Sequence, residues 1–265
     1  MKQFIKADWP APSKIHACTT TRFIDSKQQL VNGLSQVDGI SYDANAVQAN
    51  RLLLKNSLSL PVEPILLQQQ HGTRVLDISE MTPTNSAALE HTNSLEADGT
   101  YSRSANRICT VITADCLPIL LCNKAGTEIA AVHAGWKGLL GGIIENALLT
   151  FQSPPQDILA WLGPAIGPTK FEVRADVRDP FIAHDPQHEQ AFAPYRPGQW
   201  LTDIYLLAKQ RLWTRGVTAI TGGNFCTYTD SEWFYSYRRD NKKTGRMASL
   251  IWIEAATNNS PVSIS

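Results

Sequence analysis

The chain has 265 residues, 43% hydrophobic and 18% charged, with 24 basic and 24 acidic side chains and a formal net charge of zero. That composition supports a sizeable buried core, and its neutrality argues against a broad electrostatic footprint for nucleic acid or an anionic membrane surface. Met1 to Lys14 holds no signal-peptide core, and no stretch reaches the ~20 apolar residues that span a bilayer, so the expectation is a soluble, cytoplasmic protein with a small-molecule partner.

Residues 1–40 mix short apolar and polar pieces, which predicts strands and turns. Asp43 is placed to cap a helix through Val47, Arg51 and Leu54 that ends before Pro61. Pro64–Gln69 reads as a short strand leading into Gln70-His71-Gly72. Residues 81–107, rich in Ser, Thr, Asn and Glu, predict a long surface excursion. Ile108–Ala114 and Leu117–Cys122 are β-rich runs on either side of a break at Asp115-Cys116. Ile129–Val132 is a strand ending at His133, and Gly135, Gly138, Gly141 and Gly142 precede a helix over Ile143–Phe151. Leu159–Leu162 is a strand followed by Gly163. Thr202–Trp213 has helical spacing and stops at Gly216. Ala219–Thr221 and Leu250–Ile253 are the last strands, and the polar residues 256–265 form a tail. The pattern does not alternate strictly enough for a doubly wound sheet. It predicts one α+β domain over residues 1–255, a mixed sheet sandwich.

The five cysteines (Cys18, Cys109, Cys116, Cys122, Cys226) are odd in number and include no CxxC pair, which favours reduced thiols. His71, Cys116 and His133 stand where apolar runs end, so rigid structure can aim them into a cleft. One thiolate and two imidazoles leave a fourth tetrahedral position open on Zn²⁺, the composition of a catalytic site, and the soft sulfur also admits copper. The spacing matches no short metal signature, and a cysteine or histidine in such a run also serves as an ordinary core residue.

Gln70-His71-Gly72, Thr113-Ala114-Asp115-Cys116-Leu117-Pro118 and Val132-His133-Ala134-Gly135-Trp136-Lys137-Gly138 resemble, in order, the three signature segments of the YfiH family, also called the laccase-domain or peptidoglycan editing factor family. Further likeness runs through Thr20-Thr21-Arg22, Asn50-Arg51, Leu162 to Ile166, Asp203, Cys226-Thr227-Tyr228, and Tyr237 through Arg246, covering about residues 18–253. Phe23 to Ser26 replace a usual glycine-rich turn, the stretch before Asn50 lacks a usual SxN segment, and Gly99 replaces a more usual Ala after Asp98.

The resemblance implies an α/β sandwich similar to the cytotoxic necrotising factor catalytic domain, with zinc held by His71, Cys116 and His133. It implies phosphorolysis of adenosine, inosine and methylthioadenosine together with adenosine deamination, so nucleoside and phosphate are the expected partners of a monomer or homodimer. A polyphenol oxidase label and a role on peptidoglycan precursors also attach to the family. Six histidines without a His-x-His pair cannot supply a multicopper laccase, although copper in the same three-ligand pocket would account for the label. The zinc-deaminase signature of His-x-Glu with Pro-Cys-x-x-Cys is absent. Asp115 is a candidate proton carrier or a residue fixing a turn. Arg22, Lys137 and Arg246 are candidate anion contacts. Two other classes remain: a cysteine hydrolase using Cys116 and His133 on a cell-wall amide, and a non-catalytic binding module.

Overall fold

The computed structural model describes residues 4–23, 44–81, 95–105, 107–241 and 244–255. In chain order the strands and helices are β1 (Phe4–Lys6), β2 (Ile15–Thr20), α1 (Ala44–Ser57), β3 (Val75–Asp77), β4 (Gly99–Ser102), β5 (Ile108–Thr113), β6 (Leu117–Asn123), β7 (Ile129–Ala134), α2 (Trp136–Gly141) and α3 (Ile143–Thr150). There follow β8 (Ile158–Leu162), β9 (Glu172–Arg174), α4 (Ala175–His184), β10 (Phe192–Arg196), β11 (Gln199–Thr202), α5 (Ile204–Thr214), β12 (Ala219–Gly222) and β13 (Met247–Ile253).

The middle of the chain explains the layering. On β6, Leu117, Ile119 and Leu121 face one core while Leu120 and Cys122 face another. On β8, Ile158, Ala160 and Leu162 alternate in the same way with Leu159 and Trp161. Side chains alternate across a pleated strand, so a strand apolar at every position must be covered on both faces. The six-stranded sheet, ordered β12-β8-β6-β7-β4-β3, is therefore the central layer. Its β12–β8 and β3–β4 pairs are parallel and the others antiparallel. Leu139, Ile143, Ala147, Phe181, Leu207 and Leu212 from α2 to α5 cover one face. The antiparallel sheet β1-β2-β13-β5 covers the other, through Cys18, Val111, Leu250 and Ile251. A small sheet, β10-β11-β9, packs beside the helices. The fold is thus the mixed sheet sandwich expected, with α2 to α5 on one side and α1 packed through Leu54 into the other core.

Several expectations need correction. Pro64–Gln69 is not a strand. It makes a single parallel bridge, Gln68 to Glu96, and the side chain of Gln69 takes over the pairing role described below. Within 81–107, the described residues Leu95 and 97–102 are buried, and β4 lies between β7 and β3; their polar side chains disguised an interior strand. The strand β7 runs through His133 to Ala134 rather than stopping before it. The glycine-rich stretch after it contains α2, ended by Gly142 in the left-handed region (φ 100°). The last helix begins at Ile204, where Asp203 accepts a hydrogen bond from the backbone N–H of Leu206. Helix α4 has a proline within it, and this concealed it in the sequence. Asp43 and the tail 256–265 lie outside the described residues.

Candidate metal centre

Strand register assembles the site. Pro118 pairs with His133 and Leu117 with Ala134, so Cys116, the residue before β6, emerges beside the end of β7. On the other side of β7, Gly99 pairs with Val132, and the N–H of His133 donates to the carbonyl of Asp98 at 2.7 Å. Asp98, His133 and Cys116 therefore come from three adjacent strand ends. The Asp98 carboxylate meets His133 Nδ1 at 2.7 Å, leaving Nε2 turned toward the thiol side. That carboxylate is 1% exposed and also accepts the backbone N–H groups of Gln70 (3.2 Å), His71 (2.9 Å) and Gly72 (2.6 Å).

The second ring comes from that turn. His71 has φ 59°, a left-handed conformation that a non-glycine residue keeps only when its surroundings impose it. Two anchors do so. One is the Asp98 carboxylate. The other is Gln69, whose side-chain amide donates to the carbonyl of Ile112 (2.8 Å) and accepts its N–H (2.7 Å), mimicking a strand against the free edge of β5. His71 Nε2 consequently lies 3.9 Å from Cys116 Sγ. The two imidazoles meet edge-on with centroids 4.7 Å apart.

One ligand atom from each of His71, Cys116 and His133 lies within 4.8 Å of the others. Zn–S near 2.3 Å and Zn–N near 2.0 Å in a tetrahedron imply ligand separations of about 3.3–3.6 Å, so a small inward movement would close this set on an ion. Burial decreases from His133, 3% exposed, through half-buried Cys116 to exposed His71, so the fourth side is open. The electrostatics are those of a thiolate–imidazolium pair, whose imidazolium proton a bound metal ion would displace. Burial disfavours the Cys116 thiolate, yet the imidazoles of His133 and His71 pull its pKa down to about 6. Burial likewise disfavours a charged His133, but the Cys116 thiolate and Asp98 raise it to about 9. Asp98, despite burial, is held below the usual carboxylate range by His133 and by the N–H groups of Gly72 and Gln70. Gly135 completes the floor: a Cβ there would lie 3.1 Å from Cys116 Sγ and 3.2 Å from His71 Cδ2.

The remaining candidates lie in different settings. Asp115, 8% exposed with φ 85°, accepts from Thr227 Oγ1 (2.6 Å), Ser236 Oγ (3.1 Å) and the N–H of Arg238 (2.6 Å). Lys137 is exposed, its Nζ over the Trp136 ring. Arg22 donates to the carbonyl of Ser231 and stacks on Tyr235. Arg246 donates to the carbonyls of Thr244 and Gly245 and stacks on Tyr237. Sequence reasoning missed Asp98 and Gln69 as parts of the site. The triplet Ala97-Asp98-Gly99 was the one signal of the former.

Residues 16–254 match the model of a family described as multi-copper polyphenol oxidoreductase laccase. A Shigella flexneri protein named purine nucleoside phosphorylase YfiH is 45% identical, over 96% of this chain and all of its own. A Haemophilus influenzae protein named purine nucleoside phosphorylase is 43% identical, over 95% of this chain and all of its own. Among solved structures, a Neisseria meningitidis protein superimposes with a TM-score of 0.84 at 38% identity, covering 96% of this chain and 100% of the other. YlmD from Geobacillus stearothermophilus gives 0.84 at 26% identity, covering 96% and 97%.

Proposed function

Since the chain belongs to the laccase-like YfiH family, we propose that it is a zinc-dependent purine nucleoside phosphorylase, taking adenosine, inosine or methylthioadenosine and phosphate to free base and sugar 1-phosphate, with adenosine deamination as a second activity. The observation that carries this reading is the open cluster of His71, Cys116 and His133, with Asp98 fixing the middle imidazole. The names of the relatives supply the substrate class. In this reading residues 1–255 act as one catalytic domain, and its thiols stay reduced in the cytoplasm.

A divalent ion held there would supply Lewis acidity at the open corner. The chain's own residues do the rest. Asp98 holds one proton of His133 on Nδ1, so a divalent ion would have only the Nε2 proton of the imidazolium to displace. The exposed His71 side admits a nucleoside. Lys137, two residues from Gly135, is the cation assigned to phosphate. Arg22 and Arg246 are kept as further anion contacts, although both guanidinium groups already donate to main-chain carbonyls. The multi-copper description does not carry over as chemistry. Among the described residues one group of His, Cys, Asp and Glu is arranged to hold a metal. His16 pairs with Glu254, and His188, stacked by His184, bonds Gln210, both outside that group. Copper in the three-ligand site would account for the label.

The test is a product assay on metal-quantified protein given adenosine with and without phosphate. Phosphate-dependent adenine release, lost in Cys116→Ala, is expected. Inosine appearing without phosphate would report the deaminase activity. Zinc-loaded protein that turns over no nucleoside would refute the proposal. One observation favours a second reading: the lowered thiol pKa of Cys116 beside His133 suits a nucleophile. Amide hydrolysis by metal-free protein, blocked by iodoacetamide, would establish that hydrolase instead.

A further inference from the structure

Two residues at the site adopt left-handed backbone conformations, His71 itself and Asp115, immediately before Cys116. Such conformations cost free energy in non-glycine residues and persist where neighbouring groups hold them. The turn at His71 is held by the Asp98 carboxylate. The turn at Asp115 is held by its own carboxylate, which reaches away from the three ligands to segments far along the chain. Thr227 Oγ1 meets one oxygen at 2.6 Å, and Ser236 Oγ (3.1 Å) and the N–H of Arg238 (2.6 Å) meet the other. Thr227 and Ser236 are fully buried, so water does not readily replace these bonds. The carbonyl of Asp115 is also taken, accepting the N–H of Ile166 at 2.9 Å. With three donors on its two oxygens, Asp115 is coordinated like a structural anchor and unlike a group waiting to carry a proton.

The geometry points to Asp115 as the positioning residue of the metal centre: by binding Thr227, Ser236 and Arg238 it locks the turn that aims the Cys116 thiolate at the two imidazoles. This rests on the metal reading proposed above. The same lock ties Cys116 to the segments carrying Tyr228, Tyr237 and Arg238. Tyr228 stacks with Lys170 and Tyr237 with Arg246, so the aim of the thiolate and the placement of these cation–aromatic pairs are set together.

The experiment uses the full chain loaded with Co²⁺, whose thiolate charge-transfer and ligand-field bands report the bonding of Cys116. Asp115→Asn is expected to shift those bands and to weaken Co²⁺ and Zn²⁺ binding by about 10- to 100-fold, the usual effect of losing a group that orients a ligand. Thr227→Val should move both readouts in the same direction, and Thr227→Ser, which keeps the hydroxyl, should restore them. If Asp115→Asn does not fold, the Thr227 pair decides alone. Folded Asp115→Asn with unchanged bands and metal affinity would overturn the inference, and a loss of kcat alone on that background would assign Asp115 to proton transfer. A native chain that takes up no cobalt would overturn the metal reading itself, and is distinguished because the failure then precedes any substitution.

Discussion

Replacing Asp98 by asparagine tests the centre at its most connected atom pair. The carboxylate accepts four donors, His133 Nδ1 and the N–H of His71 on Oδ1 and the N–H groups of Gln70 and Gly72 on Oδ2. An amide keeps one oxygen, so whichever way it turns, two of these donors face an NH₂ group. Hydrogen bonds to a charged acceptor contribute about 1.5–3 kcal/mol each, so two lost bonds imply roughly 3–6 kcal/mol. The 70–72 turn is partly open to water, which favours the lower end. At about 2–4 °C per kcal/mol for a domain of this size, a loss of about 3 kcal/mol lowers Tm by about 6–12 °C. Orientation of both imidazoles also suffers, so zinc affinity should fall by about 10- to 100-fold. Differential scanning calorimetry on metal-free protein gives the first quantity and chelator competition the second. An Asp98→Asn protein matching the native one in both would refute the role assigned to this carboxylate.

Gly135→Ala should keep the fold but lower bound zinc well below one per chain, because its Cβ would stand 3.1 Å from Cys116 Sγ and 3.7 Å from His133 Nε2; metal analysis of the purified variant decides it, and full occupancy would be the contrary result. In metal-stripped protein Cys116 should be the thiol that alkylates first. Its lowered pKa makes thiolate the main form above about pH 6, so the iodoacetamide rate should rise across that pH. Cys18 and Cys122, pushed up to about 12 by burial, should stay inert, and added zinc should protect Cys116. Glu128→Gln is the control away from the centre. That buried carboxylate accepts Tyr101 Oη (2.6 Å) and the N–H groups of Gln152 (2.6 Å) and Ser153 (3.0 Å). Urea unfolding should show a loss of about 2–4 kcal/mol, with activity per bound zinc unchanged; a stable variant or an inactive one would each contradict the assignment.

The strands that carry the site were legible because they are buried on both faces and read as continuous apolar runs. Asp115-Cys116 stood out as the break between two of them. Periodicity could not tell that the break also separates two sheets, β5 joining one layer and β6 the other, since that choice depends on partners far along the chain. Asp98 was nearly invisible for a related reason. Its role follows from the register of β4 against β7, and its neighbourhood of small and polar residues looked like surface. Gln69 was misread because an amide side chain performs there what a strand backbone does elsewhere. His71, Cys116 and His133 were found by resemblance more than by spacing, and the structure brings all three together.

The layer opposite α2 to α5 has a consequence for biosynthesis. Its inner strand β13 pairs with both β2 and β5, and Thr19 bonds Ser249 across 230 positions of sequence. On a ribosome, β2 and β5 emerge long before the strand that joins them, leaving apolar edges open in the interval. The Asp115 lock likewise waits for a donor 123 residues downstream. A nascent or truncated chain can therefore hold all three candidate ligands without presenting them in one place, and in the proposed role capture of a metal ion would be a late event that reports a finished molecule.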